Sequence, residues 1–336
     1  MAESQGQTNK LVTIFGGSGF VGRHLVRELA ARGWRIRVAT RRPDLANHLQ
    51  PLGKVGQIMP IQANLRYPAS VKAAVTGADA VINLVGILSP SGRQSFEAVH
   101  TFGARIVAKA AKEVGVANLV HMSALGADSA STSAYAASKG RGEDEVRAAF
   151  PSAVIVRPSV VFGPEDDLFN RFAGLARFLP VLPLMGGGKT TFQPVYVGDV
   201  ALAIANALEG KASAGATYEL GGPETKSLKD LFAYVCAVTG RKRLLAPVPW
   251  AVAGVMAFGT EMASKLSLGI FPAMLTTTRD QLKLLKSDNV VSEAAVKEGR
   301  DLKGLGIATP ESIEAIVPAY LYRYRKAGQF SPQTTG

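Results

Sequence analysis

Tyr135 and Lys139 stand four residues apart in the run "YAASK", and Ser123 stands twelve residues before the tyrosine. On a helix, positions i and i+4 share one face. A tyrosine is a weak acid-base near neutrality, with a pKa of about 10, and a neighbouring ammonium favours its phenolate. Together the three residue types suit hydride chemistry: a serine orients a carbonyl oxygen, a tyrosine supplies the proton, and a lysine bonds a ribose. Tyr-x-x-x-Lys alone is also an ordinary helix face. It gains meaning from "GGSGFVG", which spaces Gly16, Gly19 and Gly22 at three-residue intervals, with Ser18, Phe20 and Val21 between them. This run follows an apolar strand and opens a helix, the setting in which glycines let the backbone approach a pyrophosphate and a helix N-terminus offers it N–H groups.

The second strand narrows the choice of dinucleotide. A binder of NAD usually carries an acid there for the ribose 2′-hydroxyl. Here the strand runs into "VATRRPD", so Arg41 and Arg42 stand in its place. Guanidinium groups suit a 2′-phosphate, which predicts NADP(H) over NAD(H); the alternative is a pair of solvated loop charges. Asn64 and Leu65 end the third strand, where an adenine ring would lie, and Leu84, Val85 and Gly86 end the fourth, beside the inner ribose.

These residues need a particular scaffold. Apolar, β-branched runs start at Leu11, Ile36, Gln57, Ala80, Asn118 and Ala153, and helical patterns such as 22–31 and 96–114 lie between them. The alternation predicts an α/β fold, a Rossmann doubly wound parallel sheet with a smaller C-terminal lobe. The expected layout is a tail over 1–9, an NADP-binding domain over 10–222 with 166–192 as a loop or lid, a lobe over 223–325 and a tail over 326–336. "YELGGPE" reads as a further strand, and Ser227 as a helix cap. "PLMGGGKT" imitates a phosphate-binding loop, but Pro183 stands where the pattern needs glycine, so a mobile loop near the cofactor mouth is expected. Between Leu244 and Leu275 only Glu261 and Lys265 are charged. "PWAVAGVMAFGT" there is too short to span a bilayer. It reads as a buried helix or as an apolar face for lipid, with Trp250 and Phe258 as anchors.

Composition excludes several classes. One cysteine, Cys236, rules out a disulfide framework, and four scattered histidines lack metal-ligand spacing. The formal charge of +12 comes without a long basic run. An anionic membrane surface or acidic protein therefore ranks above nucleic acid as a partner. The N-terminus lacks the apolar region of a signal peptide and the arginine-rich pattern of a transit peptide.

The runs "GGSGFVG", "MSALGA", "YAASK", "RPSVVFGPED" and "PVYVGDVA" follow one another as in extended or atypical short-chain dehydrogenases/reductases, and the resemblance covers Leu11 to about Pro223. It implies that Pro158, Ser159, Val160 and Val161 line a nicotinamide carboxamide. His100 departs from the asparagine most extended members carry. A narrower resemblance rests on "FEAVHTFGARIVAKAAKEVGVANLVHMSALGA", "TTFQPVYVGDVA" and "TTTRDQLKLLKSDNVVS". These are similar to the nucleotide-binding accessory subunits of respiratory complex I, NADH:ubiquinone oxidoreductase, which share the His100 departure. That resemblance implies a structural NADPH off the electron path and other complex I subunits as partners. It also implies a peripheral place near the quinone site, on the cytoplasmic side of a bacterial inner membrane or the matrix side of a mitochondrial one. Family members often lose the tyrosine, whereas Ser123, Tyr135 and Lys139 are all present here. The alternative is a free-standing NADP-dependent reductase or epimerase acting on a sugar nucleotide or lipid-like substrate.

Overall fold

The computed structural model describes residues 10–266, 277–326 and 328–330. Six strands form where apolar runs predict them: β1 (Leu11–Phe15), β2 (Arg35–Thr40), β3 (Ile58–Gln62), β4 (Ala80–Asn83), β5 (Asn118–Met122) and β6 (Val154–Pro158). The order across the sheet is β3, β2, β1, β4, β5, β6 and then the strand Thr217–Leu220, with every neighbouring pair parallel. The chain winds outward from β1 to β3 and then returns to β4. In doubly wound sheets such a reversal marks the crevice, outside the carboxyl ends of the strands, that takes ligands. All four residues of β4 are buried, as a sheet covered on both faces requires.

Helices α1 (Phe20–Ala31), α2 (Pro68–Val75), α3 (Gly103–Glu113) and α4 (Ala134–Ala149) flank the sheet. In α1, Val21, Leu25, Val26 and Leu29 make one buried stripe at helical spacing. Phe15, Val71, Val107, Leu119, Val146 and Phe150 join strands and helices in one core. Fully burying each such side chain is worth roughly 1.5–3 kcal/mol. A π-helical turn, Glu97–Phe102, runs directly into α3.

The chain divides into two compact units. The first runs to Pro158 and takes in Val197–Leu220 and Val291–Thr309; the second comprises Ser159–Tyr196, Gly221–Val290 and the chain from Pro310. The chain thus crosses between units several times, where the linear layout placed one boundary at 222/223.

In the second unit, the stretch expected as a loop or lid over 166–192 contains an eleven-residue helix, Leu168–Phe178, and a strand, Val181–Met185. That strand pairs in parallel with Leu244–Val248. A two-stranded sheet is all edge, so Pro183 and Pro247 sit in it without breaking it. The "GGG" of "PLMGGGKT" forms a tight turn, Gly186–Gly188, with all three residues at positive φ, and Gly186 abuts the Trp250 ring. The helix Leu228–Val238 starts as predicted, with Ser227 and Asp230 forming a capping box. The helix Trp250–Leu266 buries Ala253 and Ala257 but exposes Val252, Val255 and Phe258, so it is only half a core helix. Phe162, Phe169, Leu182, Leu231, Phe232 and Leu321 form this unit's core. Expectations for residues 1–9, for Thr276 and for most of the 326–336 tail fall outside the described residues. No described helix is long and apolar enough to cross a membrane.

Candidate functional site

At the β1 end of the crevice, Gly16 takes a φ of +80°, and its carbonyl accepts the Gly19 N–H at 3.0 Å. A Cβ on Gly22 would lie 2.3 Å from the Gly16 oxygen, so the loop folds back on α1 only because that position has no side chain. Gly19 caps α1 without any side-chain hydrogen bond, and the first turn carries no acid. Its N–H groups and positive dipole end therefore suit an anion.

Arg41 and Arg42 follow β2, and the structure makes them unequal. Arg41 is exposed and makes no hydrogen bond or ion pair with any described residue. Arg42 pairs with Asp44 at 3.2 Å, both side chains more than half exposed. Past β3, Asn64 Oδ1 accepts the Arg66 N–H at 3.1 Å, and Leu65 packs against Gly103 of α3. Past β4, the Leu84 N–H donates to the Phe15 carbonyl at 2.9 Å and the Val85 N–H to Asn83 Oδ1 at 3.1 Å. Ser18, Phe20 and Val21 belong to the glycine turn and the first turn of α1.

Under α4 the groups are mutually engaged, most of them buried and Tyr135 half-buried. Ser133 caps the helix by accepting the Ala136 N–H at 3.3 Å, which places Tyr135 in the first turn and Lys139 one turn on. Lys139 Nζ donates to the Met122 carbonyl at 3.3 Å, and a Cβ on Gly86 would lie 3.3 Å from that nitrogen. Ser123, the residue after Met122, is 2% exposed, and its Oγ has no hydrogen-bond partner among the described residues. An unsatisfied buried hydroxyl costs about 1–3 kcal/mol and is what a ligand oxygen would relieve. Burial pushes the Tyr135 phenol up to about 12. It also pushes the Lys139 ammonium down to about 8, against the pull of the Glu143 carboxylate. The tyrosine is thus held as a phenol. The expected lowering by the ammonium is outweighed by desolvation.

His100 is placed by the π-helical turn, a geometry often found at functional sites. The Ser138 hydroxyl donates to the Tyr135 carbonyl at 2.7 Å, so it accepts from His100 Nδ1–H at 2.9 Å. His100 Nε2 accepts the Ile87 N–H at 3.0 Å. These partners assign a neutral ring with its proton on Nδ1. Burial, and behind it the Lys139 charge, lower its pKa to about 3. The ring stacks on Phe96 and meets Tyr135 edge-on at 5.5 Å. Gly142 lets α4 come this close, since a Cβ there would lie 2.3 Å from the His100 carbonyl oxygen.

Three more residues join this end. His121 is 2% exposed and accepts the Asn83 side-chain amide at 3.2 Å; burial, and behind it Lys139, lower its pKa to about 3 as well. Glu143 is gripped by Arg157 at 2.8 and 2.7 Å and by Arg147 at 3.3 Å. The sequence reading missed Asn83, His121, Ser138 and Glu143. Only Glu143 carried a local signal, its position four residues after Lys139.

Pro158 ends β6, and its carbonyl accepts the Leu125 N–H at 3.0 Å. Ser159, Val160 and Val161 fall in the second unit. Ser159 Oγ donates to Asn289 Oδ1 at 2.7 Å, the Val160 carbonyl accepts the Val195 N–H at 3.0 Å, and Val161 pairs with Val195. Asn289 also exchanges backbone hydrogen bonds with Thr191 at 2.8 Å and Gln193 at 3.0 Å. The runs "TTFQP" and "SDNVVS" therefore meet around Ser159.

The first unit thus offers what a dinucleotide needs: a glycine cradle, an uncapped helix end, an unpaired guanidinium, a buried ammonium and an orphaned hydroxyl. The family profile described as "NAD dependent epimerase/dehydratase family" matches residues 12–221. The chain is 34% identical over 95% of its length to the mitochondrial NADH dehydrogenase (ubiquinone) 1 alpha subcomplex subunit 9 of Arabidopsis thaliana, covering 79% of that protein. It is 40% identical to the ceramide reductase of Caulobacter vibrioides over 52% of this chain and 54% of that one. The crystal structure of gox2253 superposes with a TM-score of 0.71 at 24% identity, over 96% of this chain and all of the other, which establishes the fold. The chain belongs to the NAD-dependent epimerase/dehydratase family, in the branch of the NADH dehydrogenase (ubiquinone) alpha subcomplex subunit 9 proteins.

Proposed function

We propose that this chain is an accessory, non-electron-carrying subunit of respiratory complex I that holds NADPH as a structural cofactor. The carrying observation is the reach of the likeness to the alpha subcomplex subunit 9 proteins, which spans 95% of the chain and hence both units. The physical logic is linkage: a cofactor bound only by the folded form raises stability by mass action and needs no chemistry. Unpaired Arg41 supports a phosphorylated ribose. The glycine loop with Ser18, Phe20 and Val21 takes the pyrophosphate. Asn64 and Leu65 flank the adenine, Leu84, Val85 and Gly86 the inner ribose, and Pro158 the carboxamide. The partners are other complex I subunits at the inner membrane. The exposed Val252, Val255 and Phe258, with a net charge of +12, suit an anionic lipid surface beside them.

One observation favours a second reading. Ser123, Tyr135 and Lys139 are all present, and Tyr135 is held as a phenol, the form that donates a proton to a carbonyl. A reductase acting on a lipid-like ketone, the substrate class suggested by the ceramide reductase relative, would use them so. Replacing Tyr135→Phe separates the readings. The accessory subunit keeps its NADPH and its place in the complex. A reductase keeps its nucleotide but loses ketone-dependent NADPH oxidation by 100-fold or more, roughly the worth of a positioned acid. Ketone-dependent oxidation by the unaltered chain, abolished by this change, would overturn the accessory reading.

A further inference from the structure

One loop of the first unit is fastened at a single point. After Gly86 the chain leaves the carboxyl end of β4, and it turns helical again at Phe96. The root of the loop is fixed, because the Ile87 N–H donates to His100 Nε2 at 3.0 Å. Its far end is a tight turn in which Ser91 and Gln94 exchange backbone hydrogen bonds at 3.0 and 2.9 Å, with Gly92 at a φ of +54°. Residues 88–93 are all exposed. A run with so little buried surface opens easily unless something ties it down. The tie is Arg66, whose guanidinium donates to the Arg93 carbonyl. Among the described residues no other hydrogen bond or ion pair joins 88–93 to another element. No described carboxylate competes for Arg66; Glu97, just past the loop, is engaged by Arg141 at 2.8 Å.

The place of this tie gives it meaning. Arg66 follows Asn64 and Leu65 past the end of β3, and Arg93 lies in the loop that begins with Leu84, Val85 and Gly86 past the end of β4. In the sheet β3 and β4 have β2 and β1 between them, a gap of about 14 Å at three strand spacings. Seven extended residues reach about 23 Å, so the run 88–94 is long enough to cross that gap. The two loops lead into α2 and α3, which place Val71, Val75 and Val107 in one core, so the tie lies on their face of the sheet. We propose that residues 87–94 are a lid over the adenosine half of the bound dinucleotide, latched by Arg66, and that this latch sets how fast the cofactor exchanges. The inference rests on the nucleotide reading above and deepens it, because retention becomes a matter of rate as well as of affinity. The latch joins chain to chain and not chain to ligand. Breaking it lowers the barrier to entry and to exit alike, and leaves the ratio of the two rates, which is the affinity, nearly where it was.

The test is stopped-flow fluorescence of the full chain with NADPH, entry being followed on mixing and exit by a chase with excess NADP⁺. Arg66→Ala should speed both by about tenfold, the worth of one hydrogen bond from a charged donor, and change Kd by less than about threefold. Arg93→Ala keeps the accepting carbonyl and removes a cation from the same rim, so it should leave both rates unchanged. Rates unaltered by Arg66→Ala would overturn the latch while sparing the nucleotide site. So would a faster exit with unchanged entry, which would make Arg66 an ordinary ligand contact. Equal acceleration by the two variants would overturn it as well, since rim charge would then govern the rates. Hydrogen exchange on the unaltered chain needs no variant: saturating NADPH should slow the amides of 88–93 severalfold, and unchanged exchange there would overturn the lid. An unaltered chain that binds no NADPH would instead overturn the nucleotide reading, and the lid with it.

Discussion

The two ends of the crevice are built differently. The β1–β2 end is open: a bare helix terminus, one unpaired arginine and one exposed ion pair. The α4 end is closed: a neutral imidazole joins the Ile87 amide, Ser138 and the Tyr135 carbonyl, and a buried carboxylate is shared by two arginines. On the proposed reading, the charged open-end residues serve the ligand and contribute little to the fold without it. Closed-end residues hold the fold first and the ligand second. The predictions below try to break that division, from the largest expected effect to the smallest.

Acid should act through the closed end. Burial lowers the His100 and His121 pKa values to about 3 in the folded chain, against an ordinary 6.5. Between those values the unfolded chain binds more protons than the native one, so stability is full above about pH 6.5 and falls as pH drops towards 3. Each histidine contributes a slope of about 1.4 kcal/mol per pH unit in that window. Urea midpoints measured from pH 7 to pH 4 should fall accordingly, and His121→Asn should halve the slope. A flat profile would mean that neither ring is held neutral.

Arg157→Ala strands Glu143, which is buried, with one remaining partner. Breaking a buried pair from one side costs about 3 kcal/mol, so thermal unfolding should move down by several degrees in the nucleotide-free chain. Gly22→Ala should cost about 2 kcal/mol through overpacking against the Gly16 carbonyl, and it should also abolish nucleotide binding. This is the one open-end change with a fold penalty, because it acts on backbone packing rather than on a charge.

The arginines sharpen the comparison most finely. Arg41→Ala should lower affinity for NADPH about tenfold while leaving affinity for NADH and the unfolding midpoint unchanged. Arg42→Ala removes an exposed pair worth no more than about 1 kcal/mol and should shift NADPH affinity by less than Arg41→Ala does. Equal losses from the two changes would restore them as the matched pair that the sequence suggested.

That pair shows where sequence reading stops. "RRPD" announces two cations at the end of β2, but only a folded loop shows that Asp44 takes one of them. The central strands, the glycine loop, the Ser227 cap and the Tyr135–Lys139 spacing were legible because each rests on local periodicity or on turn chemistry. Asn83, His121 and Ser138 were not, because each acquires its partner across 38 residues of chain or through a π-helical turn that no 3.6-residue period announces. The strand Val181–Met185 hid for a related reason: its partner lies some sixty residues away, and both strands contain proline. The lowered Tyr135 pKa expected from the spacing failed because spacing reports neighbours and not burial.

The central claim is that the folded chain holds a reduced, phosphorylated dinucleotide as part of a larger assembly. The direct measurement is to isolate the chain under mild detergent from the membranes in which it is made and to count bound nucleotide by mass spectrometry. The account predicts one NADPH per chain, co-migrating with NADH:quinone oxidoreductase and unchanged in amount after respiratory turnover. A chain that migrates alone, or that carries no nucleotide while fully folded, would contradict it.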